Sequence, residues 1–386
     1  MSNSQRYETR GRHRIAAIVL AGFCAFLTIY APQPLLPGLA REFRVSAAAI
    51  ALVMTATTAG VGLAAPFIGM LSDRIGRKRV IVPAALLLSI PAILASTATG
   101  LGSLLFWRFW QGIFTPGVAA VTIAYINEEW ESGAGAAMSA YVTATVLGGF
   151  SGRMIAALIA VHASWRWAFA ALGILNAAGA LAMAVWLPPD RHAPHLAPRK
   201  AMASHLRNRR LLATCAVGFC VLFTLVATFT YVNFYLAAPP FRLGTQALGL
   251  LFTVYLLGMI VTPASGRYID RVGHRVAIAA AFAGCIGGIV LTLIQSLPAV
   301  ILGLAVLSSG VFVAQAVTSS YIGIATSHAR ASAVGIYSVF YYAGGTLGSA
   351  VPGLFWIQGG WPACVGLIAL VAALTIGIAW KSWRAT

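Results

Sequence analysis

Arg108 and Arg153 each interrupt an apolar stretch that is otherwise free of charge. A guanidinium in such a place must face protein or water, because it does not enter hydrocarbon unpaired. It stays protonated and presents its donors in a fixed fork, so it can bind an anion, clamp a neighbouring helix or satisfy backbone carbonyls. For Arg108 the structural alternative is a hub for carbonyls; for Arg153, beside Gly148, Gly149 and Gly152, it is a helix-packing clamp. The eight acidic residues are Glu8, Glu42, Asp73, Glu128, Glu129, Glu131, Asp190 and Asp270, and the seven histidines are His13, His162, His192, His195, His205, His274 and His328. All lie in loops or at the ends of apolar stretches. With no carboxylate or imidazole to activate a nucleophile there, enzymatic chemistry is not expected. The five cysteines are scattered without CxxC or CxH pairing, so neither a disulfide framework nor a metal site is expected, and no cofactor is implied. What remains is reversible binding. Tyr30, Gln33, Gln111, Thr115, Thr230, Tyr231, Asn233, Ser309, Gln315, Thr318 and Ser319 are the neutral polar candidates. With two arginines and no carboxylate among them, they favour an anionic, neutral or zwitterionic partner over a cationic one.

The elements that position these residues follow from composition. Of 386 residues 60% are hydrophobic and 9% charged, against about 25% charged in a soluble protein, which excludes a water-soluble globular chain. The formal charge of +18 would suggest nucleic acid in a soluble protein, but its distribution gives another reason. A spanning helix needs ~20 apolar residues, and the uncharged runs divide into twelve: 15–38, 47–71, 79–98, 101–125, 135–160, 164–187, 210–237, 246–266, 275–296, 298–323, 331–357 and 360–380. With both termini cytoplasmic, 20 of the 26 basic residues fall on the inside and 4 on the outside, as the positive-inside rule requires. The lipid bilayer is then the partner that explains the charge, and no nucleic acid is needed. Arg10, Arg12 and Arg14 before Ile15 mimic a secretory signal, but the run continues uncharged to Ala40 and reads as a retained first span. The polar stretch from Pro188 to Arg209 reads as a cytoplasmic linker, giving halves at 1–190 and 208–386 joined by 191–207.

An internal repeat supports two related halves. Gly69, Asp73, Arg74 and Gly76, followed by Arg77, lie after the second span; Gly266, Asp270, Arg271 and Gly273 lie after the eighth, 197 residues later. The segment Gly69–Arg79 resembles the signature loop G-x-L-[SA]-D-R-x-G-R-[KR]-[KR] of the major facilitator superfamily of secondary transporters. Arg108-Phe109-Trp110-Gln111-Gly112 resembles its R-x-x-Q-G motif, and Ser164-Trp165-Arg166-Trp167-Ala168-Phe169 its S-W-R-W-x-F entry to helix six.

The resemblance covers essentially the whole chain. It implies an all-α integral membrane protein with twelve transmembrane helices in two pseudo-symmetric six-helix halves. By pattern it is similar to bacterial inner-membrane drug and metabolite exporters of the arabinose-efflux and acriflavine-sensitivity type, monomeric, with a small-molecule solute and the proton motive force as candidate driving force. Uptake of an organic anion bound by Arg108 or Arg153 is the rival. The resemblance places helices one, four, seven and ten around the cavity, so that Tyr30, Gln33, Arg108, Gln111, Tyr231, Asn233 and Gln315 would line it, with Arg153 adjoining. It makes the two loops gates: Asp73 would meet the start of helix eleven near Ala331–Gly335, and Asp270 the start of helix five near Ser132–Ala136. Gly148, Gly149 and Gly152 recur as Gly344, Gly345 and Gly348 at an offset of 196. They form a small-residue packing face, and the resemblance implies that helices five and eleven slide on it against helices eight and two. Proton coupling, lacking a mid-span carboxylate, would fall to Glu128, Glu129 or Asp73, or to the solute itself.

Overall fold

The computed structural model describes residues 3–130, 134–188, 190, 205, 207–326 and 330–383, with side chains from His13 onward except at 259, 262–265, 267, 270, 330 and 331. Its elements are α1 (Asn3–Leu27), α2 (Leu36–Phe43), α3 (Ala47–Ile75), α4 (Lys78–Leu94), α5 (Leu101–Glu129), α6 (Ala134–His162), α7 (Trp165–Trp186), α8 (Arg209–Ala237), α9 (Thr245–Leu250), α10 (Val254–Leu291), α11 (Leu297–Ala325), α12 (Arg330–Ala350) and α13 (Pro352–Ser382), with three short 3-10 turns and no strand among the described residues. Nine helices among the described residues are long and apolar enough to cross a membrane, and His13–Leu27 and Thr245–Gly258 are shorter apolar helices. Large apolar side chains on α4, α7, α10 and α13, among them Ile90, Leu181, Val290 and Leu374, point outward, as expected for the third, sixth, ninth and twelfth spans.

Local chemistry sets the boundaries. Ser46, Ser164 and Asn208 cap α3, α7 and α8 by accepting amide hydrogen bonds at the helix start. The first expected span, 15–38, is corrected by the structure: α1 stops at Leu27 and the chain turns through a 3-10 segment at Gln33–Leu35 into α2. Pro32, Pro34 and Pro37 remove the amides a continuous helix needs. Two other boundaries fall where they were expected: α10 joins two helices that meet at Gly273 (φ 77°, ψ 160°), between the eighth and ninth spans. Val351 keeps a right-handed helical backbone, and the break within α13 comes at Gly359 and Gly360, between the eleventh and twelfth.

Pseudo-symmetry extends to atomic packing. A Cβ added to Gly148 or Gly152 would strike the carbonyl oxygens of Phe23 or Leu27 on α1; one added to Gly344 or Gly348 would strike those of Phe219 or Phe223 on α8. Both partners of each contact recur at the same offset of 196 residues. The glycines therefore let α6 lie backbone to backbone on α1, and α12 on α8. These four glycines are spent inside each half, whereas a Cβ on Gly345 would come within 3.5 Å of Thr58 on α3, on the surface between the halves.

The halves meet through apolar packing and through small polar groups. Thr55 and Ser349 share a hydroxyl hydrogen bond at 2.8 Å, Thr346 Oγ1 donates to Thr58 Oγ1 at 3.2 Å, and Gln33 Nε2 donates to Thr230 Oγ1 at 3.4 Å. Ala48 approaches Gly353, and Ala157 approaches Gly249. All these contacts lie in the part of the bundle nearer the start of α3. At that same end Glu42 accepts from Trp165 Nε1 at 2.6 Å and from Arg166 Nη1 at 2.7 Å, while Arg166 Nη2 donates to the Ala98 carbonyl at 3.3 Å. The S-W-R-W segment thus fastens α7 to α2 and to the end of α4. The five cysteines are all buried and free.

Candidate functional site

The two arginines of the apolar stretches have different surroundings. Arg108 on α5 is 0% exposed. Its Nη1 donates to the Thr28 carbonyl at 2.9 Å and to Gln111 Oε1, and its Nη2 donates to the Ile29 carbonyl. Those carbonyls lie just past the end of α1, where the chain turns and the helical ladder has stopped. Arg108 is the hub that satisfies them, and Gln111, also fully buried, orients the guanidinium. Among the described hydrogen bonds, neither reaches the group around Arg153. A cation here replaces the helix bonds lost to the proline-rich turn.

Arg153 on α6 is 3% exposed and is held differently. Its Nε donates to Gln33 Oε1 at 2.7 Å and its Nη1 to the Gly149 carbonyl at 2.6 Å. Three rings surround it, with Cζ 4.9 Å from the centroid of Tyr30, 4.6 Å from Phe252 and 5.0 Å from Tyr255. Such distances fall within the range of cation–π attraction. Tyr30 and Gln33 come from the broken segment after α1, Phe252 and Tyr255 from the second half, and Gln33 itself reaches Thr230 on α8. Of the residues predicted to line a site, the structure brings Tyr30, Gln33 and Arg153 together. Phe252 and Tyr255 were missed by sequence reasoning, since nothing in an aromatic residue of a distant apolar run marks it as the neighbour of a particular arginine.

The remaining candidates lie apart. Tyr231 is buried, donates to the Ser349 carbonyl at 3.0 Å and packs on Trp356. Asn233 is buried and donates to the Phe229 carbonyl of its own helix at 2.6 Å. The partners of both lie in the second half. Gln315 accepts from Tyr337 Oη at 3.1 Å and donates to Ser319 at 3.3 Å. Tyr337 stacks on Tyr341, and Tyr341 meets Tyr342 edge-on, so α12 carries a line of tyrosines beside Gln315.

The loop between α3 and α4 is an ion cluster. Arg77 Nη1 lies 2.5 Å from Asp73 Oδ1, and its Nε and Nη2 donate to Glu128 at the end of α5, at 2.9 and 2.5 Å. Burial would lower the Arg77 pKa, but the hydrogen bond and charge of Glu128, with those of Asp73, hold it above its ordinary value. Among the described residues the ion partner of Asp73 is Arg77, four residues on. Arg74 is exposed. Gly76 takes φ 99°, and a Cβ there would also strike Asp190 Oδ2, whose other oxygen accepts from the Lys78 amide at 3.1 Å and so caps α4. Gly273 takes φ 77° at the equivalent place. Gly69 and Gly266 both stand in open space. Arg271 is exposed, while the side chain of Asp270 and residues 131–133 of its expected partner lie outside the described residues. Glu128 and Asp190 were legible as acids near loops, but not as the partners of this one.

A bundle of apolar helices in two pseudo-symmetric halves, with repeating loops at matching places, defines a multi-pass membrane protein built from a duplicated unit. The chain belongs to the Major Facilitator Superfamily, whose description matches residues 18–329 and 226–385. It is 32% identical over 389 residues to the inner membrane transport protein YnfM of Escherichia coli (strain K12), covering 98% of this chain and 93% of that one. It is 30% identical over 369 residues to the uncharacterized MFS-type transporter YybF of Bacillus subtilis (strain 168), covering 93% and 91%. In fold it is similar to a bacterial homologue of the human lysosomal transporter Spinster, crystallised inward-facing and unoccupied, with a TM-score of 0.77 at 15% identity over 97% of each chain. The protein is thus a multi-pass membrane transporter of this superfamily.

Proposed function

We propose that the protein exports a small organic solute across the bacterial inner membrane by alternating access, as a monomer with both termini cytoplasmic. In this reading twelve spans form halves at 1–190 and 208–386 that rock about a central site, with 191–207 as the linker. The observation that carries the reading is the asymmetry of contacts along the bundle. The hydroxyl hydrogen bonds between halves, Thr55–Ser349 and Thr58–Thr346, lie nearer the start of α3, while at its other end the charges of Asp73, Arg77 and Glu128 satisfy one another inside one half. With the termini cytoplasmic, the outer side is closed and the inner side is released, which is the inward-facing state. The proton motive force drives export in this proposal. No carboxylate or histidine lies at mid-span in the sequence, so the proton is carried by an interfacial carboxylate or by the solute.

The test is made in energised everted vesicles. A panel of anionic, neutral and cationic solutes is added and the pH gradient is followed, with vesicles lacking the protein as control. Solute-specific dissipation that requires the protein is the expected result. If no panel member discharges the gradient while a labelled member enters only when the protein is present, proton-coupled export is rejected in favour of uncoupled movement.

A further inference from the structure

We infer that Arg153 and Tyr255 form a carboxylate-binding site shared by the two halves, and that its ligand is a small organic monocarboxylate with an apolar or aromatic body. The inference deepens the transport reading by naming a class of solute, and it rests on that reading only for where the ligand goes next.

Two deficits at one place support it. Arg153 is a buried cation with no carboxylate partner among the described residues: Nε and Nη1 are taken by neutral oxygens, and the three rings around it attract its charge without cancelling it. Tyr255, 4% exposed, buries a hydroxyl that has no hydrogen-bond partner among the described residues, although its ring lies 5.0 Å from the guanidinium carbon. Buried hydroxyls are seldom left unpaired. A single carboxylate repairs both, one oxygen accepting from Arg153 Nη2, which has no partner among the described hydrogen bonds, and the other from the Tyr255 hydroxyl. Charge-assisted bonds to Arg are among the strongest available to such a ligand. Arg108 cannot compete for this role, since its terminal nitrogens are already committed to the turn after α1.

The surroundings select the rest of the ligand. Tyr255 is packed by Phe229 at 4.6 Å, Phe312 at 5.5 Å and Phe252 at 5.7 Å between ring centroids, and the Tyr30 ring centroid lies 4.9 Å from the guanidinium carbon. An aromatic wall of this kind accepts an apolar body and offers little to a polyhydroxylated one. Arg153 stands on α6 and Tyr255 on α10, so the ligand would also tie the first half to the second. Occupancy therefore favours the state in which these helices are together.

The test uses the full-length protein in detergent, titrated calorimetrically with benzoate and with benzamide, its neutral isostere, while the melting temperature is followed in parallel. Benzoate is expected to bind and to raise the melting temperature, with benzamide at least tenfold weaker. Tyr255→Phe removes a hydroxyl that has no partner in the ligand-free protein, so its unliganded melting temperature should not fall, while its benzoate affinity drops about tenfold. Arg153→Gln should abolish the preference for benzoate; if that variant does not fold, Tyr255→Phe carries the test alone. Equal affinity for benzoate and benzamide, unchanged benzoate affinity in Tyr255→Phe, or no binding of benzoate overturns the site. Because binding is read without a gradient, loss of the site and loss of the transport reading show in separate experiments.

Discussion

Arg108 and Arg153 are the same residue in the same kind of apolar helix, yet one is part of the framework and the other stands where the halves meet. The difference is in what each guanidinium answers to. Around Arg108 the acceptors are carbonyls at a helix break, which exist only because prolines stop α1. Around Arg153 they are a side-chain amide and one helical carbonyl, and the rest of the shell is aromatic and drawn from both halves. A buried arginine is therefore not a site by virtue of its charge. It becomes a candidate when the protein around it leaves the charge unanswered.

This contrast can be broken most severely at Arg108. Arg108→Leu leaves the Thr28 and Ile29 carbonyls and Gln111 Oε1 without a donor, and at about 1–3 kcal/mol for each buried unsatisfied group the variant should lose several kcal/mol. A sharp fall in folded yield and melting temperature in detergent, not rescued by Arg108→Lys, is the expected outcome; a normally folded Arg108→Leu would sink the hub assignment. A second, milder test compares the halves with each other. Gly148→Ala and Gly344→Ala each push a Cβ into a carbonyl of the adjoining helix, and overpacking of this kind typically costs about 1–3 kcal/mol. The two should lower the melting temperature by similar amounts if the symmetry is energetic as well as geometric. The smallest effect is expected in the loops. Alanine at Gly76 or Gly273 takes on a positive φ, at about 1–2 kcal/mol, but only Gly76→Ala also displaces Asp190 from its cap on α4. Gly76→Ala should therefore be the less stable of the pair, and equal melting temperatures would show that the Asp190 cap contributes nothing.

Much of this architecture was legible in the sequence, and what was missed has a common cause. Apolar runs locate most spans because hydrocarbon thickness fixes how long a helix must be, and the loop repeat at an offset of 197 reappears as matching positive φ angles at Gly76 and Gly273. The run from Ile15 to Gly38 was read through its break because hydropathy does not register the loss of an amide, although Pro32, Pro34 and Pro37 were on view. The recurrence of Gly148 and Gly152 was plain, but not that they meet Phe23 and Leu27, since a glycine carries no sign of what approaches it. The site suffered most. Arg153 and Gln33 announce themselves by polarity, whereas Phe252 and Tyr255 lie about a hundred residues away in sequence and look like any other apolar or aromatic lining. Pairing across a helical bundle is decided by topology, and topology is not written in local pattern.

The glycine contacts have a mechanical consequence. Where α6 presses on α1 and α12 on α8 with no side chain between them, there is no soft layer to shear, so each pair behaves as a stiff beam. Strain applied at one end of a half is then carried to the other with little lost to internal give. In the proposed rocking motion the place to yield would be the seam that includes Thr55–Ser349 and Thr58–Thr346, hydroxyl bonds that can exchange partners. The two stiff pairs, one in each half, are built from residues that carry no charge at all.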